Sequence, residues 1–301
     1  MAEDSATPGW FLAALQSPCS GGMIEVDGCP LHYLAWGDPA SPPLLLVHGG
    51  LAHARWWTAI APQLARHYYV IAPDLAGHGD SGRRANYTLE AWAADLLAVS
   101  RAACGERRPV IVGHSLGGQI AITAAALYGR QLAGVVVVDA PVTRPDPESG
   151  ALVQHARPLK VYPDLAGAMA RFRLLPQQPC ENAWLFNYIA RHSLREAEGG
   201  WSWKFDPAVL SRPLPTSLAD YLARAACPLA MVRGEYSAVV PPETAELMYE
   251  LCERSAPLIE IPCSWHHLLI DQPLAFLSAL RALLAAWEHA SAPVRRAQAA
   301  P

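Results

Sequence analysis

The chain has 301 residues, of which 52% are hydrophobic and 17% charged, enough for one large α/β domain with an insertion or for two small domains. Its net charge is −4 and it carries no basic block, so nothing in its composition supports nucleic-acid binding. The seven cysteines are scattered and form no C-x-x-C pair, which argues against a metal site or a disulfide framework.

The first residues and the apolar runs indicate the cellular location of the protein. The first residues include acidic side chains where a signal peptide needs basic ones, and no apolar run approaches the roughly 18 residues of a membrane span. With unpaired cysteines, these features favour a cytoplasmic protein that has no membrane partner.

The first half of the chain alternates strand-like and helix-like patterns. Residues 1–21 are predicted to form a loosely docked N-terminal arm, and the core begins at residue 22. The predicted strands are residues 23–26, 31–36, 44–47, 70–72, 110–112 and 135–138, and the predicted helices are residues 54–65, 89–103 and 119–128. Such alternation predicts a mostly parallel, twisted sheet with helices on both faces.

The alternation stops after Asp139 and resumes at Pro228. Residues 141–226, here called the cap segment, are rich in proline, arginine and aromatic residues, with helical patterns at 166–175 and 183–192. They are predicted to form a helical cap over the rim of a core made of residues 22–140 and 227–290. The predicted elements that complete the core are strands 229–232 and 258–261 and helices 243–252 and 274–287; residues 291–301 are predicted to be a flexible tail.

The most informative stretch, Pro109 to Gly118, reads PVIVGHSLGG. A strand, a tight turn with Ser115 at its apex, and a helix form the context that a nucleophile elbow requires. Gly113 and Gly117 leave room for the turn, because side chains there would strike the neighbouring strand and helix. The serine hydroxyl would project above the sheet edge at a helix N-terminus, which favours a developing negative charge.

Other chemistry-bearing residues also follow predicted strands. His48, Asp74 and Asp139 each come directly after one, as Ser115 does. Because the carboxyl ends of parallel strands meet at one edge, all four are expected to cluster at one rim of the sheet.

At this point the sequence resembles the α/β-hydrolase superfamily of serine hydrolases with a helical cap. The resemblance spans about residues 22–288 and implies the α/β-hydrolase fold. The motifs that carry it, in order, are LLLVHGG (44–50), PDLAGHGDSG (73–82), GHSLGG (113–118), WSWKFDP (201–207), MVRGEYSAVVPPE (231–243) and SWHHLLIDQP (264–273).

The resemblance implies roles for individual residues. Ser115 would be the nucleophile and His266 the general base, since His266 aligns better than its neighbour His267 with the family's histidine. The oxyanion hole would consist of the backbone N–H groups of Gly50 and Leu116.

The acid is where the sequence departs from the family pattern. The family usually places it in a G-x-x-D-x-x-x-P segment, but here that position is Ser237, and Glu235 is the only carboxylate nearby. Some members instead keep the acid one strand earlier, where this chain has Asp139. We predict Asp139 as the acid, with Glu235 or a Ser–His dyad without an acid as the alternatives.

The predicted function is that of a serine hydrolase cleaving a carboxylic ester, or a related lactone or thioester, through an acyl-enzyme. A carbon–carbon bond hydrolase of a diketone-type substrate would use the same residues. A non-catalytic binding protein is the third reading, motivated by the missing acid. The aromatic residues Trp184, Trp201 and Trp203 favour a small apolar or aromatic substrate. No cofactor or metal is implied, and the sequence does not indicate an oligomeric state.

Overall fold

A computed structural model describes residues 7–142, 158–211 and 218–291. Within these ranges the strands are β1 (Ser20–Val26), β2 (Cys29–Trp36), β3 (Pro43–Val47), β4 (Tyr69–Pro73), β5 (Val110–His114), β6 (Gly134–Val138), β7 (Leu194–Ala197), β8 (Gly200–Trp203), β9 (Leu229–Gly234) and β10 (Leu258–Ile261). The α-helices are α1 (Gly9–Gln16), α2 (Ala61–Leu64), α3 (Leu89–Cys104), α4 (Leu116–Tyr128), α5 (Leu165–Met169), α6 (Ala183–His192), α7 (Leu218–Ala223), α8 (Pro242–Leu251), α9 (Leu268–Asp271) and α10 (Pro273–Ser291). The part of the predicted tail that follows residue 291 lies outside the described residues.

Eight strands form one sheet in the order β1-β2-β4-β3-β5-β6-β9-β10. Strand β2 runs antiparallel to both β1 and β4, whereas the strands from β4 to β10 pair in parallel. The predicted mostly parallel sheet is therefore confirmed. Its parallel strands end at the same rim, which places the loops after β3, β5, β6, β9 and β10 side by side.

Two hydrophobic cores cover the two faces of this sheet. Alternate residues of β3 point into different cores because side chains alternate along a strand. Leu45 packs in the core that contains Trp92 of α3, and Leu46 packs in the core that contains Phe276 of α10. Burial on both faces explains why these strands read as continuous apolar runs.

Two of the predicted helices are shorter than their patterns indicate. In place of one helix over 54–65, the chain forms a 3-10 turn at Ala54–Trp57 and then α2. Pro62 has no N–H for a continuous helix, so it instead occupies the first turn of a new one. The helix predicted over 166–175 ends at Met169 and is followed by a turn and irregular backbone, in which Leu174 is buried.

The described part of the cap segment contains a small sheet that the sequence analysis missed. Helices α5, α6 and α7 are present, but β7 and β8 form an antiparallel hairpin between α6 and α7. The described cap residues contact the rim of the core. Lys204 pairs with Asp80, and Gln178 binds both the Asp271 carboxylate and the backbone N–H of His267.

The N-terminal arm is packed more closely than the sequence predicts, at least from residue 7 onward. The Phe11 side chain of α1 is 2% exposed, and its ring lies 4.5 Å from Trp184 and 5.7 Å from Tyr188, both on α6. Helix α1 therefore helps to hold the cap segment. Of the helices described, none is both long and apolar enough to cross a membrane.

We expect Phe11→Ala to lower the free energy of unfolding by about 3–5 kcal/mol, because it empties a buried aromatic site. Leu12→Ala is the matched control on the same helix. Leu12 is 47% exposed, and its truncation should cost less than about 0.5 kcal/mol. Chemical denaturation of the two variants measures both values, and equal small losses would contradict the docking of α1.

Candidate active site

Ser115 occupies the sharp turn between β5 and α4. Its backbone has φ 54° and ψ −119°, a strained conformation for a residue other than glycine. A Cβ at Gly113 would strike the backbone of Gly117, and one at Gly117 would lie 2.5 Å from the carbonyl oxygen of Val47. The two glycines are therefore needed for the close approach of β3, β5 and α4, as the elbow motif predicts.

His266 lies in the loop between β10 and α9 and contacts both predicted partners. Its Nε2 is 3.0 Å from Ser115 Oγ, and its Nδ1 is 2.7 Å from Asp139 Oδ2. A carboxylate only accepts hydrogen bonds when ionised, so it favours the tautomer in which Nδ1 carries the proton. Nε2 is then free to accept the proton of the Ser115 hydroxyl.

Asp139 follows β6 and is held from three sides. Oδ1 accepts a hydrogen bond from the backbone N–H of Gly234 at 3.0 Å, while Oδ2 accepts from Ser237 Oγ at 2.6 Å and from His266. The side chain is fully enclosed, and the residue has a left-handed φ of 46°. Three donors on one buried carboxylate fix its position.

Ser237 is the functional residue that sequence reasoning missed. It stands where the family pattern has the acid, and its hydroxyl donates to Asp139 while accepting from the backbone N–H groups of Val239 and Val240 at 3.2 and 3.1 Å. The signal was present in the sequence, because a serine in a G-x-x-S-x-x-x-P segment is a short donor at the place where the carboxylate must be held. The residue that departs from the acid motif therefore holds the Asp139 carboxylate, which follows the neighbouring strand β6.

The rival carboxylate, Glu235, is directed elsewhere. Its Oε2 accepts a hydrogen bond from the backbone N–H of Cys263 at 2.7 Å, at an exposed position. The structure thus brings Asp139, and not Glu235, to the ring of His266.

The two predicted oxyanion donors lie on either side of the serine. Leu116 begins α4, and the loop holding Gly50 passes so close that a Cβ at Gly49 would lie 3.2 Å from the Ser115 Cβ. Among the described residues, the backbone N–H groups of Gly50 and Leu116 donate no hydrogen bond. Both can therefore meet an oxygen that develops negative charge beside Ser115.

The other rim residues hold loops. His48 Nδ1 donates to the carbonyl of Gly49 at 2.7 Å, and its Nε2 accepts from the N–H of Leu75 at 3.1 Å. Burial raises the pKa of Asp74, but the hydrogen bond from His32 and nearby positive charge outweigh it and hold that pKa well below its usual range. Both side chains are thus committed to structural bonds.

A cavity of about 240 Å³ opens between the Gly50 loop and the cap segment. Trp203 and Trp56 line it. Trp184 and Trp201, the other two tryptophans predicted to contact the substrate, are not among its described lining residues. Trp184 is partly buried against α1, and Trp201 lies beneath the guanidinium of Arg191 at 4.9 Å. Alternation along β8 does not separate Trp201 from Trp203. The two side chains differ in their surroundings only through tertiary contacts, which the sequence pattern does not display.

Two groups of described side chains lie close enough together to share a metal ion. The first is His114, His266 and His267, and the second is His32, Asp74 and Asp80. In the first group both ring nitrogens of His266 already bond Asp139 and Ser115, and in the second Asp74 already bonds His32. A metal at either place would compete with these contacts.

Comparisons with known proteins agree with this geometry. The family model described as the alpha/beta hydrolase family matches residues 44–280. The chain belongs to the alpha/beta hydrolase family. The resemblance inferred from the motifs is thereby confirmed, and so is the predicted α/β-hydrolase fold. A solved thioesterase domain from the curacin biosynthetic pathway has the same fold, with a TM-score of 0.74 and 24% identity over 89% of this chain and 100% of that domain.

Two relatives that match this alpha/beta hydrolase over most of their length are named for an activity. The esterase Rv0045c of Mycobacterium tuberculosis is 29% identical over 296 residues, covering 90% of this chain and 93% of the relative. The 2-hydroxy-6-oxo-6-(2'-aminophenyl)hexa-2,4-dienoic acid hydrolase of Metapseudomonas resinovorans is 25% identical over a match that covers 87% of this chain and 90% of the relative. Other relatives match only in part. The chain spans 30% of the length of an uncharacterized M. tuberculosis protein to which it is 38% identical over 105 residues.

For this alpha/beta hydrolase we expect Ser237→Ala to slow fluorophosphonate labelling of Ser115 by roughly tenfold, because it removes a hydrogen bond to a buried carboxylate. Ser100→Ala is the matched control. Ser100 is also buried, but it lies on α3 and bonds Cys104. Adduct mass followed over time measures both rates. Unchanged labelling of the Ser237 variant would show that the hydroxyl does not position Asp139.

Proposed function

We propose that this chain is a serine hydrolase that cleaves a carboxylic ester, or a related lactone or thioester, through an acyl-enzyme on Ser115. The observation that carries the proposal is the unbroken hydrogen-bonded series from Asp139 through His266 to Ser115, with contacts of 2.7 and 3.0 Å. It lies at a strained turn beside two unengaged backbone N–H groups, an arrangement suited to acyl transfer.

In the acylation step, His266 Nε2 takes the hydroxyl proton as Ser115 Oγ attacks the ester carbonyl. The carbonyl oxygen becomes an oxyanion, and the N–H groups of Gly50 and Leu116 stabilise it, each contributing about 3 kcal/mol in comparable sites. The proton on Nε2 then passes to the leaving alcohol, which departs.

In the deacylation step, His266 takes a proton from water as the water oxygen attacks the acyl carbon. His266 then returns this proton to Ser115 Oγ as the bond to the serine breaks and the carboxylic acid leaves. During both steps the imidazole carries a positive charge that Asp139 faces at 2.7 Å. The carboxylate holds the ring tautomer and stabilises the imidazolium without itself becoming protonated.

A carbon–carbon bond hydrolase is the second candidate. The observation favouring it is the similarity to the dienoic acid hydrolase, which extends over 87% of this chain. The same serine, histidine and acid would serve, so turnover of aryl esters against turnover of a vinylogous diketone separates the two candidates. A non-catalytic binding protein is the least supported reading, because the hydrogen-bonded series from Asp139 to Ser115 supports acyl transfer. A cytoplasmic location stays a prediction.

We expect Asp139→Asn to slow fluorophosphonate labelling of Ser115 by roughly 10³- to 10⁴-fold, because an amide in place of the carboxylate favours the wrong tautomer of His266. Glu235→Gln is the matched control, since it removes the rival carboxylate from the next loop. It should label at nearly the wild-type rate. Equal labelling of wild type and Asp139→Asn would reject Asp139 as the acid, and no labelling of either would favour the binding-protein reading.

The acid should also be transferable between the two strand ends. Ser237 Oγ lies 2.6 Å from Asp139 Oδ2, so a carboxylate at position 237 can approach the same face of His266. We expect the double variant Asp139→Ser with Ser237→Asp to label at least about tenfold faster than Asp139→Ser alone. Ser237→Asp alone should be slow, because two adjacent carboxylates cannot both be charged without repulsion. A double variant no faster than the single one would contradict the transfer.

A further inference from the structure

The cavity between the Gly50 loop and the cap segment is lined by two residues with buried polar atoms that the protein itself leaves unbonded. Among the described residues, Trp56 Nε1 and both ring nitrogens of His267 are buried with no hydrogen-bond partner. Both side chains line the cavity, and their ring centroids are 5.3 Å apart. Leaving a buried donor or acceptor unpaired costs about 1–3 kcal/mol, so two such side chains at one wall call for a ligand.

His267 offers this ligand a neutral imidazole. Burial, and next the positive charge of a protonated His266, lower the pKa of His267 to about 3. The Leu175 carbonyl partly offsets this shift of pKa, but its approach does not have the geometry of a hydrogen bond. At neutral pH the ring therefore presents one N–H donor and one acceptor nitrogen.

The described lining of the cavity is positively charged. It includes Arg171, Arg173 and Lys204, and it includes no Asp or Glu. Lys204 is paired with Asp80, which lies outside the lining. Arg173 Nη1 donates to the carbonyl of Ala170 at 2.9 Å, a contact that orients the guanidinium without neutralising it.

His192 lies on α6, outside the described cavity lining. Its pKa is lowered to about 4, first by burial and then by the positive charges of Arg55, Lys204 and Arg191, while Asp80 partly offsets this shift.

The remaining walls are apolar, and the space is small. Phe172, Trp203 and Phe205 line the cavity, whose volume of about 240 Å³ is below the roughly 300 Å³ at which the usual range of ligand pockets begins. Such walls suit a short carbon chain and not a long acyl tail. The sequence-based expectation of an apolar substrate therefore holds for the walls alone.

We propose that the cavity binds a small ester carrying a carboxylate, whose charge faces Arg171 and Arg173 and whose polar oxygens pair with Trp56 Nε1 and His267. The ester carbonyl would lie beside Gly50, which also lines the cavity. The reaction of such a substrate rests on the function proposed above, whereas its binding does not. The two are therefore tested separately.

The binding test uses the Ser115→Ala variant, which keeps the cavity and cannot form an acyl-enzyme. Glutarate and glutaramide, which share shape and differ in charge, are titrated into it by calorimetry. We expect glutarate to bind at least about tenfold more tightly. Equal binding of the two compounds, or no binding of glutarate, would overturn the proposal.

Added substitutions identify the contacts. Arg171→Gln should weaken glutarate binding by roughly fivefold and leave glutaramide unchanged. Arg191→Gln makes the same charge change on α6 at a residue outside the cavity lining, and it should alter neither. Trp56→Phe, which keeps the ring and removes the N–H, should weaken both compounds. Circular dichroism checks that each variant is folded, and unchanged glutarate binding in both Arg171→Gln and Trp56→Phe would overturn the assignment.

Competition in the wild-type protein distinguishes the failure of each proposal. Glutarate, but not glutaramide, should slow the fluorophosphonate labelling of Ser115. If neutral esters are hydrolysed and glutarate neither binds nor competes, the substrate class is wrong and the hydrolase function stands. If glutarate binds but no ester is cleaved, the function fails and the anion site stands.

The position of the carboxylate within the substrate is read from two ester series. An acidic acyl group is presented by 4-nitrophenyl hydrogen glutarate, and an acidic leaving group by 3-carboxyphenyl butyrate, each against its carboxamide analogue. We expect one of the two acids to exceed its amide in kcat/KM by about tenfold. Acids no better than amides in both series would contradict a carboxylate-bearing substrate.

Discussion

The contact between Asp139 and His266 is the constraint on which the rest of the site depends. It joins the end of β6 to the loop after β10, and these two strands flank β9 in the sheet. The backbone N–H of Gly234, at the end of β9, also donates to Asp139. A buried imidazole without a partner would lose both its orientation and its capacity to hold charge. The strained turn at Ser115 is tolerated because the buried strands on either side of β5 determine its geometry.

Ser237 and Asp139 occupy complementary positions at the ends of neighbouring strands. The space that these two side chains share beside His266 accommodates one buried carboxylate, since two in contact would repel each other and one would take up a proton. With Asp139 in place, a serine at 237 is the compatible choice. It donates to the carboxylate, and its own oxygen is saturated by two backbone N–H groups. An apolar residue there would leave those backbone donors unpaired.

The sequence predicts the sheet and the serine loop well because both depend on local signals. The β-branched runs at 110–112 and 135–138 form strands when they are buried on both faces, and the glycines around Ser115 permit the tight turn between strand and helix. The choice between Asp139 and Glu235 could not be read in this way. It depends on the left-handed φ of Asp139 and on the partner that Cys263 offers to Glu235, which are properties of the packed loops. The contacts of the cap segment were harder still to predict. Trp184 and Trp201 differ from Trp203 only in the residues that pack against them, which the sequence does not show.

Two residues that line the cavity have buried polar atoms that the protein leaves unbonded. Many other buried side chains, such as Asp139 and His48, use their polar atoms within the protein, although Trp57 Nε1 and Arg84 Nε are also buried without a partner in the described part of the chain. Apolar side chains in place of Trp56 and His267 would leave no nitrogen unpaired. A chain that departs from the general rule of polar satisfaction does so most readily where function compensates. The position of both groups, between the oxyanion loop and cationic cap residues, makes an oxygen-rich acidic substrate the compensation that fits the chemistry of the wall.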